Sequence, residues 1–338
     1  MNGKRTMGTV GVSALLAVSL GACGSSSSSA SGASSTGHGS SSRTATMIIS
    51  TLNNPFFVSL KNGAVAEAQK DGFTLTVQNA NNSDSTELNL ATTDITRKPG
   101  VLILDPTSST AATSVVSQAN SANVPVVAFD RQPTGGHIKA FIGYDAIAAG
   151  KRAADALAKG LGGHGQVAEI EGIMGTNVAQ DRHTGFRQEI AKYPGIQVVA
   201  AQPANFDEAT ALDVMTNILQ AHPNINGVYA ANDEMALGVL AALKARNLEG
   251  KVVVVGNDGI EQSLAAIEAG QMYATNAESA YAEGQRVADL ADDVLTGKPI
   301  PTKSETLEGT LVTKANVATY AKHLVQIGDS ADVPANLR

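Results

Sequence analysis

The chain has 338 residues, which is long enough for two domains of ordinary size. Hydrophobic residues make up 43% of it and charged residues 16%, a composition typical of globular proteins. The formal net charge of −7 argues against nucleic-acid binding, which depends on clustered lysine and arginine.

The first 22 residues have the layout of a secretory signal peptide. Lys4 and Arg5 precede an apolar run, Met7 to Leu20, which is shorter than the roughly 20 residues that span a bilayer. The run ends in Leu-Gly-Ala-Cys, which resembles the bacterial lipobox, and Cys23 is the only cysteine of the sequence. The resemblance implies a lipid on Cys23 and an exported protein anchored to the outer face of the bacterial cytoplasmic membrane, the periplasmic side in a Gram-negative cell.

Residues 23–43 are predicted to form the lipid anchor and a linker. Residues 24–42 are almost entirely Ser, Gly, Ala and Thr. Such a segment buries too little apolar surface to offset the entropy of ordering it. Folded structure is therefore expected to begin near Thr44.

From residue 46 to residue 129, apolar strand-like runs alternate with helical patterns. Strands are expected at 46–50, 73–77, 101–104 and 124–129, and helices at 55–70, 85–97 and 111–122. Pro55 suits the first turn of the first helix. The alternation predicts a parallel, doubly wound sheet with right-handed crossovers.

The same pattern then restarts. Helices are expected at 146–161, 177–193, 208–220, 233–246 and 260–270, and strands at 166–171, 196–201, 227–230, 252–256 and 273–277. The sequence thus predicts an α/β fold of two doubly wound lobes. The carboxyl ends of their strands should surround a shared crevice, where such sheets bind ligands.

Nearly every predicted strand is followed by polar side chains. Any one of them could serve only to cap the next helix. Together with nearby phenylalanines they suit a sugar or polyol, because a hydroxyl both donates and accepts hydrogen bonds and the C–H face of a sugar packs on a phenyl ring. Core packing remains the alternative for the phenylalanines.

Several segments resemble the periplasmic ribose-binding proteins, type I (LacI-like) solute-binding proteins of ABC sugar importers. The resemblance is densest in STLNNPFFVSLK (Ser50–Lys61), DRQ (Asp130–Gln132), QPANF (Gln202–Phe206) and NDEMALG (Asn232–Gly238). It implies two lobes joined by three hinge strands that close on one sugar. It assigns residues 44–145 plus 278–305 to the N-terminal lobe and 146–277 plus 306–330 to the C-terminal lobe.

The resemblance also implies a set of sugar contacts, which fall on Ser50, Asn54, Phe56, Phe57, Asp105, Asp130, Arg131, Arg182, Phe206, Asn232, Asn257, Asp258 and Glu278. This chain departs from the family residue at three of them, with Asp105 in place of Asn, Asn257 in place of Phe and Glu278 in place of Gln. Two added carboxylates and one lost ring predict a ligand that differs from ribose. A sugar alcohol, another pentose or hexose and an amino sugar all remain open.

The function that this implies is capture of a monosaccharide and its delivery to an ABC permease, with the ATPase engaged indirectly. We expect a monomer that needs no cofactor or metal and binds no nucleic acid. A sensor that feeds a membrane receptor is the alternative that stays open. An enzyme is disfavoured, because the sequence has no G-x-S-x-G, H-E-x-x-H or P-loop lysine motif and its six histidines show no metal-ligand spacing.

Overall fold

Strands and helices alternate through both halves of the chain, in a computed structural model that describes residues 43–300 and 302–338. The predicted signal peptide, Cys23 and nearly all of the predicted linker lie outside the described residues. The strands are β1 (Thr44–Ile49), β2 (Thr74–Asn79), β3 (Val101–Leu104), β4 (Val126–Phe129), β5 (Ala140–Tyr144), β6 (Gly165–Glu171), β7 (Ile196–Pro203), β8 (Gly227–Ala230), β9 (Val253–Asp258), β10 (Ala274–Ala277), β11 (Ser304–Leu307) and β12 (Thr310–Thr313). The helices are α1 (Pro55–Asp71), α2 (Asp84–Thr96), α3 (Ala112–Ser121), α4 (Ala146–Gly160), α5 (Asn177–Ile190), α6 (Glu208–Ala221), α7 (Asp233–Ala245), α8 (Glu261–Glu268), α9 (Ala280–Thr296) and α10 (Val317–Gln326).

The strands form two six-stranded sheets, one in each lobe. The first lobe is built on the sheet β11-β5-β4-β3-β1-β2, and the second lobe on the sheet β12-β10-β9-β8-β6-β7. All neighbouring strands of the first sheet are parallel. This confirms the predicted α/β architecture of two doubly wound lobes.

Central strands of each sheet are covered on both faces, which explains their continuous apolar sequences. All residues of β3 (Val-Leu-Ile-Leu) and of β4 (Val-Val-Ala-Phe) are buried. Helices lie on both faces of a parallel sheet, so side chains pointing either way enter a core. The buried strands therefore hold the residues at their carboxyl ends in fixed positions.

β5 lies between residues 129 and 146, a stretch for which the sequence predicts no strand or helix. A loop with no helix joins β4 to β5. That loop contains Pro133, Gly135 and Gly136, and the strand itself is only Ala-Phe-Ile-Gly-Tyr. A short strand with no preceding helix lacks the periodicity from which the other strands were predicted.

The chain passes between the lobes three times. It leaves the first sheet after β5 through Asp145, returns after β10 through Glu278 and Ser279, and leaves again after β11 through Glu308 and Gly309. The last crossing makes the second sheet mixed, because β12 starts beside the end of β10 and runs antiparallel to it. These connections form the predicted three-stranded hinge.

Within the described part of the chain, no helix has both the length and the apolar character needed to cross a membrane.

Candidate ligand-binding site

A cavity lies between the carboxyl ends of the strands of the two lobes. It is lined by Asn54, Phe56, Phe57, Asp130, Arg131, Val178, Arg182, Phe206, Asn232 and Asp258. The first five belong to the first lobe and the others to the second.

On the first-lobe side, the start of α1 presents two phenyl rings to the cavity. Asn54 caps this helix, since its Oδ1 accepts a hydrogen bond of 2.8 Å from the Phe56 amide, and Pro55 occupies the first helical position. Phe56 and Phe57 meet edge to face at 5.3 Å between centroids, and both are only 4% exposed. Both rings pack in the core of the first lobe and also line the cavity, so contact with a sugar stays a prediction.

Arg131 lies between aromatic rings of the two lobes. Its guanidinium carbon is 5.3 Å from the centroid of Phe57 and 5.8 Å from that of Phe206. Its Nη1 donates to the Pro106 carbonyl over 3.2 Å. A planar cation held in this way presents its remaining N–H groups in fixed directions.

On the second-lobe side, Asn232 and Arg182 present donors to the cavity. Asn232 caps α7, because its Oδ1 accepts from the Met235 amide over 3.0 Å. Its Nδ2 is buried and has no hydrogen-bond partner among the described residues. Arg182 Nη1 donates to the Ala231 carbonyl over 2.8 Å, while its Nε is likewise buried and unpaired within the described chain.

Two aspartates in left-handed backbone conformations line the cavity, one from each lobe. Asp130, after β4, has φ 51°, and Asp258, at the end of β9, has φ 116°. Few residues other than glycine, asparagine and aspartate tolerate this region. The turns at these positions bring a carboxylate from each lobe to the cavity wall.

Ser50 and Asp105, both predicted as ligand contacts, lie one layer behind the cavity wall and are fully buried. The Ser50 amide donates to Asp105 Oδ2 over 2.9 Å. Asp105 Oδ1 is 3.8 Å from Arg131 Nε, and Asp130 Oδ2 approaches the same nitrogen to 3.6 Å. Asp105 therefore acts on the cavity through Arg131.

Glu278 and Asn257, also predicted as contacts, likewise do not line the cavity, and Glu278 contacts Arg182 from behind it. Glu278 Oε2 accepts from Arg182 Nη2 over 2.7 Å, and its Oε1 accepts from Asn276 Nδ2 over 3.1 Å. Asn257 is fully buried, accepts from Asn276 Nδ2 over 3.0 Å and donates to Asp258 Oδ1 over 3.1 Å. Asp105, Asn257 and Glu278 are therefore not among the residues that line the cavity, contrary to the expectation that they face the cleft directly.

Burial raises the pKa of the carboxyls around the two arginines. Desolvation raises the pKa of Asp105 to about 7 and that of Asp258 well above its usual value, although Arg131 and Arg182 respectively oppose the change. Burial also raises the pKa of Asp130 and of Glu278 against the same arginines. The pKa of Arg182 itself is raised: burial works against it, but Glu278 and Asp258 outweigh burial.

The structure adds two residues that the sequence analysis missed. Val178 lines the cavity from the first turn of α5. Glu283, fully buried on α9, accepts from the Asp130 amide over 3.1 Å, and burial holds the pKa of its carboxyl well above its usual value. The sequence signal for Glu283 is a charged residue on a helix face that is otherwise apolar. Its hydrogen-bond partner could not be predicted, because the Asp130 amide is 153 residues away in the chain.

Away from the cavity, the fold brings His183 to two glutamates. His183 Nδ1 is 3.0 Å from Glu169 Oε1 and 3.1 Å from Glu171 Oε1. Arg187 Nε approaches Glu169 Oε2 to 2.9 Å. Linear spacing gave no indication of this ion-pair cluster, because the glutamates are on β6 and the histidine is on α5.

The cavity therefore combines facing aspartates, unpaired N–H donors and flat apolar rings. Buried polar groups are almost always hydrogen-bonded in folded proteins. A compact molecule with several hydroxyls would pair with these donors and with the two aspartates, and its C–H groups would contact the rings.

Comparison with known proteins gives this site a family context. Residues 45–299 match the family model described as periplasmic binding protein domain. The chain is 42% identical over 260 residues to the ribose import binding protein of Escherichia coli (strain K12), covering 77% of this chain and 87% of that protein. It is 40% identical over 258 residues to the protein of the same name from Bacillus subtilis (strain 168), covering 76% and 83% respectively.

Solved structures agree with this assignment. An ABC transporter periplasmic solute-binding protein from Actinobacillus succinogenes with bound D-allose gives a TM-score of 0.78 at 31% identity, covering 82% of this chain and 99% of that one. The Caulobacter myo-inositol binding protein with bound myo-inositol gives a TM-score of 0.80 at 28% identity, covering 85% and 98%. These relatives are binding proteins, which confirms the prediction that the chain is not an enzyme. The chain belongs to the periplasmic binding protein family, in the branch that resembles the ribose import binding proteins.

Proposed function

We propose that this protein is the sugar-capturing lipoprotein of an ABC importer, which binds a monosaccharide or a closely related polyol between its lobes. The captured molecule, a ribose-like pentose or a related sugar, passes to a membrane permease whose ATPase drives uptake. The lobes correspond to residues 44–145 plus 278–305 and 146–277 plus 306–330. The membership of the strands in the two sheets supports this division. Because β11 belongs to the first sheet, the N-terminal lobe extends to Leu307 and not only to residue 305.

The observation that carries the proposal is that each lobe contributes one aspartate and one arginine to the wall of the same cavity. Asp130 and Arg131 follow β4 in the first lobe, while Arg182 and Asp258 lie in the second. A ligand that bonds to both pairs binds the closed arrangement more tightly than an open one. That differential affinity is what a binding protein needs in order to report its loaded state to a permease.

The ligand class follows from the chemistry of the wall. The names of similar proteins specify ribose, D-allose and myo-inositol, all uncharged and rich in hydroxyls. The cavity offers acceptors, donors and phenyl rings to such molecules. Of the two added carboxylates, Glu278 hydrogen-bonds to Arg182 and Asp105 Oδ1 lies 3.8 Å from Arg131 Nε, so they support a changed hydroxyl pattern through the orientation of these two arginines.

A ligand screen tests the proposal. Purified protein is heated with D-ribose, D-allose, other pentoses and hexoses, pentitols, myo-inositol and amino sugars, and every stabilising compound is then titrated by calorimetry. We expect one neutral sugar or polyol to bind with micromolar affinity or better, about −8 kcal/mol. The variant Asp130→Asn, which keeps a residue suited to φ 51°, should lose at least tenfold in affinity.

Two outcomes would count against the proposal. If none of the sugars and polyols binds, the ligand class is wrong. If a charged amino sugar binds more than tenfold tighter than every neutral compound, the site selects a cation and the neutral class is rejected. Incubation of the binding compound with the protein and analysis for products checks that it is bound without reaction.

A further inference from the structure

The two lobes are joined by hydrogen bonds at the mouth of the cavity, outside the cavity wall. Ser109 and Gln132 belong to loops of the first lobe, whereas Gly175 and Asn177 precede or begin α5 in the second. We call these four residues the rim latch. The Ser109 amide donates to the Gly175 carbonyl over 3.2 Å, and the Asn177 amide donates to Ser109 Oγ over 3.1 Å.

The Asn177 side chain adds two bonds to the first lobe. Its Oδ1 accepts from the Gln132 amide over 2.8 Å and from Ser109 Oγ over 3.3 Å. The side-chain oxygen of Asn177 is therefore directed at the opposite lobe.

Asn177 is free to make these contacts because another residue caps the helix. Thr176 is the N-cap of α5, and its Oγ1 accepts from the Ala179 amide over 3.3 Å. On the first-lobe side, the Ser109 carbonyl accepts from the Thr134 amide over 2.8 Å, which fixes the loop that carries the serine. Both halves of the latch are thus held by their own lobes.

None of the latch residues lines the cavity, yet two are adjacent in sequence to residues that do. Gln132 follows Arg131, and Asn177 precedes Val178. The latch bonds can form only when the lobes are close, and they involve no atom that would contact a sugar in the cavity. Their free energy therefore acts on the equilibrium between open and closed lobes.

We infer that Asn177 is a positioning residue for closure, which populates the closed arrangement of the protein before sugar binds and thereby increases the affinity for sugar. The affinity of a site that exists in only a fraction of the molecules is reduced by that fraction. The effect on affinity rests on the proposed function, whereas the effect on lobe closure does not.

Hydrogen–deuterium exchange of the whole protein, without added sugar, tests the closure step. The Ser109 amide is the reporter, because its bond to the Gly175 carbonyl is left intact by the substitution Asn177→Ala. We expect this amide to exchange at least fivefold faster in Asn177→Ala than in the unmodified protein. Unchanged exchange in peptides from β8 and β9 shows that the variant is folded.

The matched control is Gln180→Ala on the same helix. Gln180 is exposed, and its side chain donates only within the second lobe, to the Met174 carbonyl over 2.8 Å. Exchange at Ser109 should match that of the unmodified protein in this variant. Equal exchange at Ser109 in Asn177→Ala and in the unmodified protein overturns the inference.

A calorimetric titration with D-ribose tests the consequence for binding. We expect the affinity to fall about fivefold to tenfold in Asn177→Ala, as for the loss of one or two hydrogen bonds, and to stay unchanged in Gln180→Ala. The double variant Ser109→Ala/Asn177→Ala should lose less binding free energy than the two single variants together, because the two side chains belong to one hydrogen-bond network. An unchanged affinity for D-ribose in Asn177→Ala overturns the inference. If the unmodified protein does not bind D-ribose, that result counts against a ribose-like ligand, and the exchange experiment alone decides whether the latch acts on closure.

Discussion

Each arginine of the cavity is held by carboxylates on more than one side. Arg131 lies near Asp105 and Asp130, and Arg182 contacts Asp258 at 3.3 Å and Glu278 at 2.7 Å. Pairs of this kind cost desolvation energy, and leaving one partner unpaired costs more. The departures from the ribose-binding pattern at residues 105 and 278 therefore lie beside the two arginines that line the cavity.

Glu278 cannot be replaced by glutamine without penalty. Its two oxygens each face a donor, Arg182 Nη2 and Asn276 Nδ2, so the amide nitrogen of Glu278→Gln would meet one of them. We expect the free energy of unfolding to fall by about 1–3 kcal/mol, measured by urea denaturation.

The control for this substitution is Glu308→Gln, which changes an ion pair with Arg152 at a glutamate side chain that is 69% exposed. Exposed pairs contribute about 0–1 kcal/mol, so its effect should be smaller. Equal losses in the two variants would contradict the assigned geometry of Glu278.

Asp105 should make stability depend on pH. Burial raises the pKa of its carboxyl to about 7 from 3.8, so the folded protein holds more protons than the unfolded chain between those values. This contribution to stability is complete below pH about 4 and is lost as the pH rises toward about 7. In Asp105→Asn, the fall in unfolding free energy over this pH range should shrink by at least about 1 kcal/mol.

Urea denaturation at pH values from 4 to 8 measures this change. Asp213→Asn, which alters an exposed carboxyl on α6, should leave the pH dependence as it is. An identical pH profile in Asp105→Asn and the unmodified protein would show that Asp105 is ionised throughout the range.

At the scale of elements, close contact between α1 and α9 ties the start of the binding site to the returning chain. A Cβ added at Gly284 would meet the Leu60 carbonyl, and one added at Gly63 would meet the Tyr281 carbonyl. The same α9 carries Glu283, which bonds to the Asp130 amide. Packing of this helix pair therefore positions a carboxylate of the cavity.

The variant Gly284→Ala should be overpacked. Because the obstacle is backbone, the helices must separate, and we expect a loss of about 1–3 kcal/mol in unfolding free energy. The variant Ala282→Ser adds one atom to the same helix at a half-buried position and serves as the control. Denaturation of both proteins decides the point: a Gly284→Ala variant as stable as the control would mean that α1 and α9 can move apart freely.

At the scale of the whole molecule, attachment to the membrane is predicted to depend on Cys23. The residue lies outside the described part of the chain, and the prediction rests on the Leu-Gly-Ala-Cys sequence after a short apolar run. Each buried CH₂ of an attached lipid contributes roughly 0.8 kcal/mol, so two or more acyl chains hold a protein stably.

Fractionation of cells and mass spectrometry check this prediction. In Cys23→Ser the protein should appear in the soluble fraction or retain its signal peptide, and the lipid mass should be lost. Membrane retention and a mass that differs only by the substitution would show that Cys23 is not the anchor.

The sequence by itself determined the class of most elements and most of the residues that line the cavity. Periodicity located the strands that are buried on both faces, because apolar runs of that length have few other uses. It failed at β5, which has no preceding helix, and at β12, whose antiparallel direction depends on how the chain re-enters the second sheet. Local pattern carries no information on either feature.

Only the tertiary structure decided which predicted contacts line the cavity and which support them. Asn54 and Asn232 could be recognised from their positions before helices, and they both cap a helix and face the cavity. Asp105 and Glu278 have equally polar sequences around them, yet each is buried behind an arginine. The hydrogen bond between Glu283 and the Asp130 amide and the rim latch at Asn177 join residues that are tens to more than a hundred positions apart. Only the folded chain brings such residues within hydrogen-bond distance, and only it decides how far a side chain lies from the cavity.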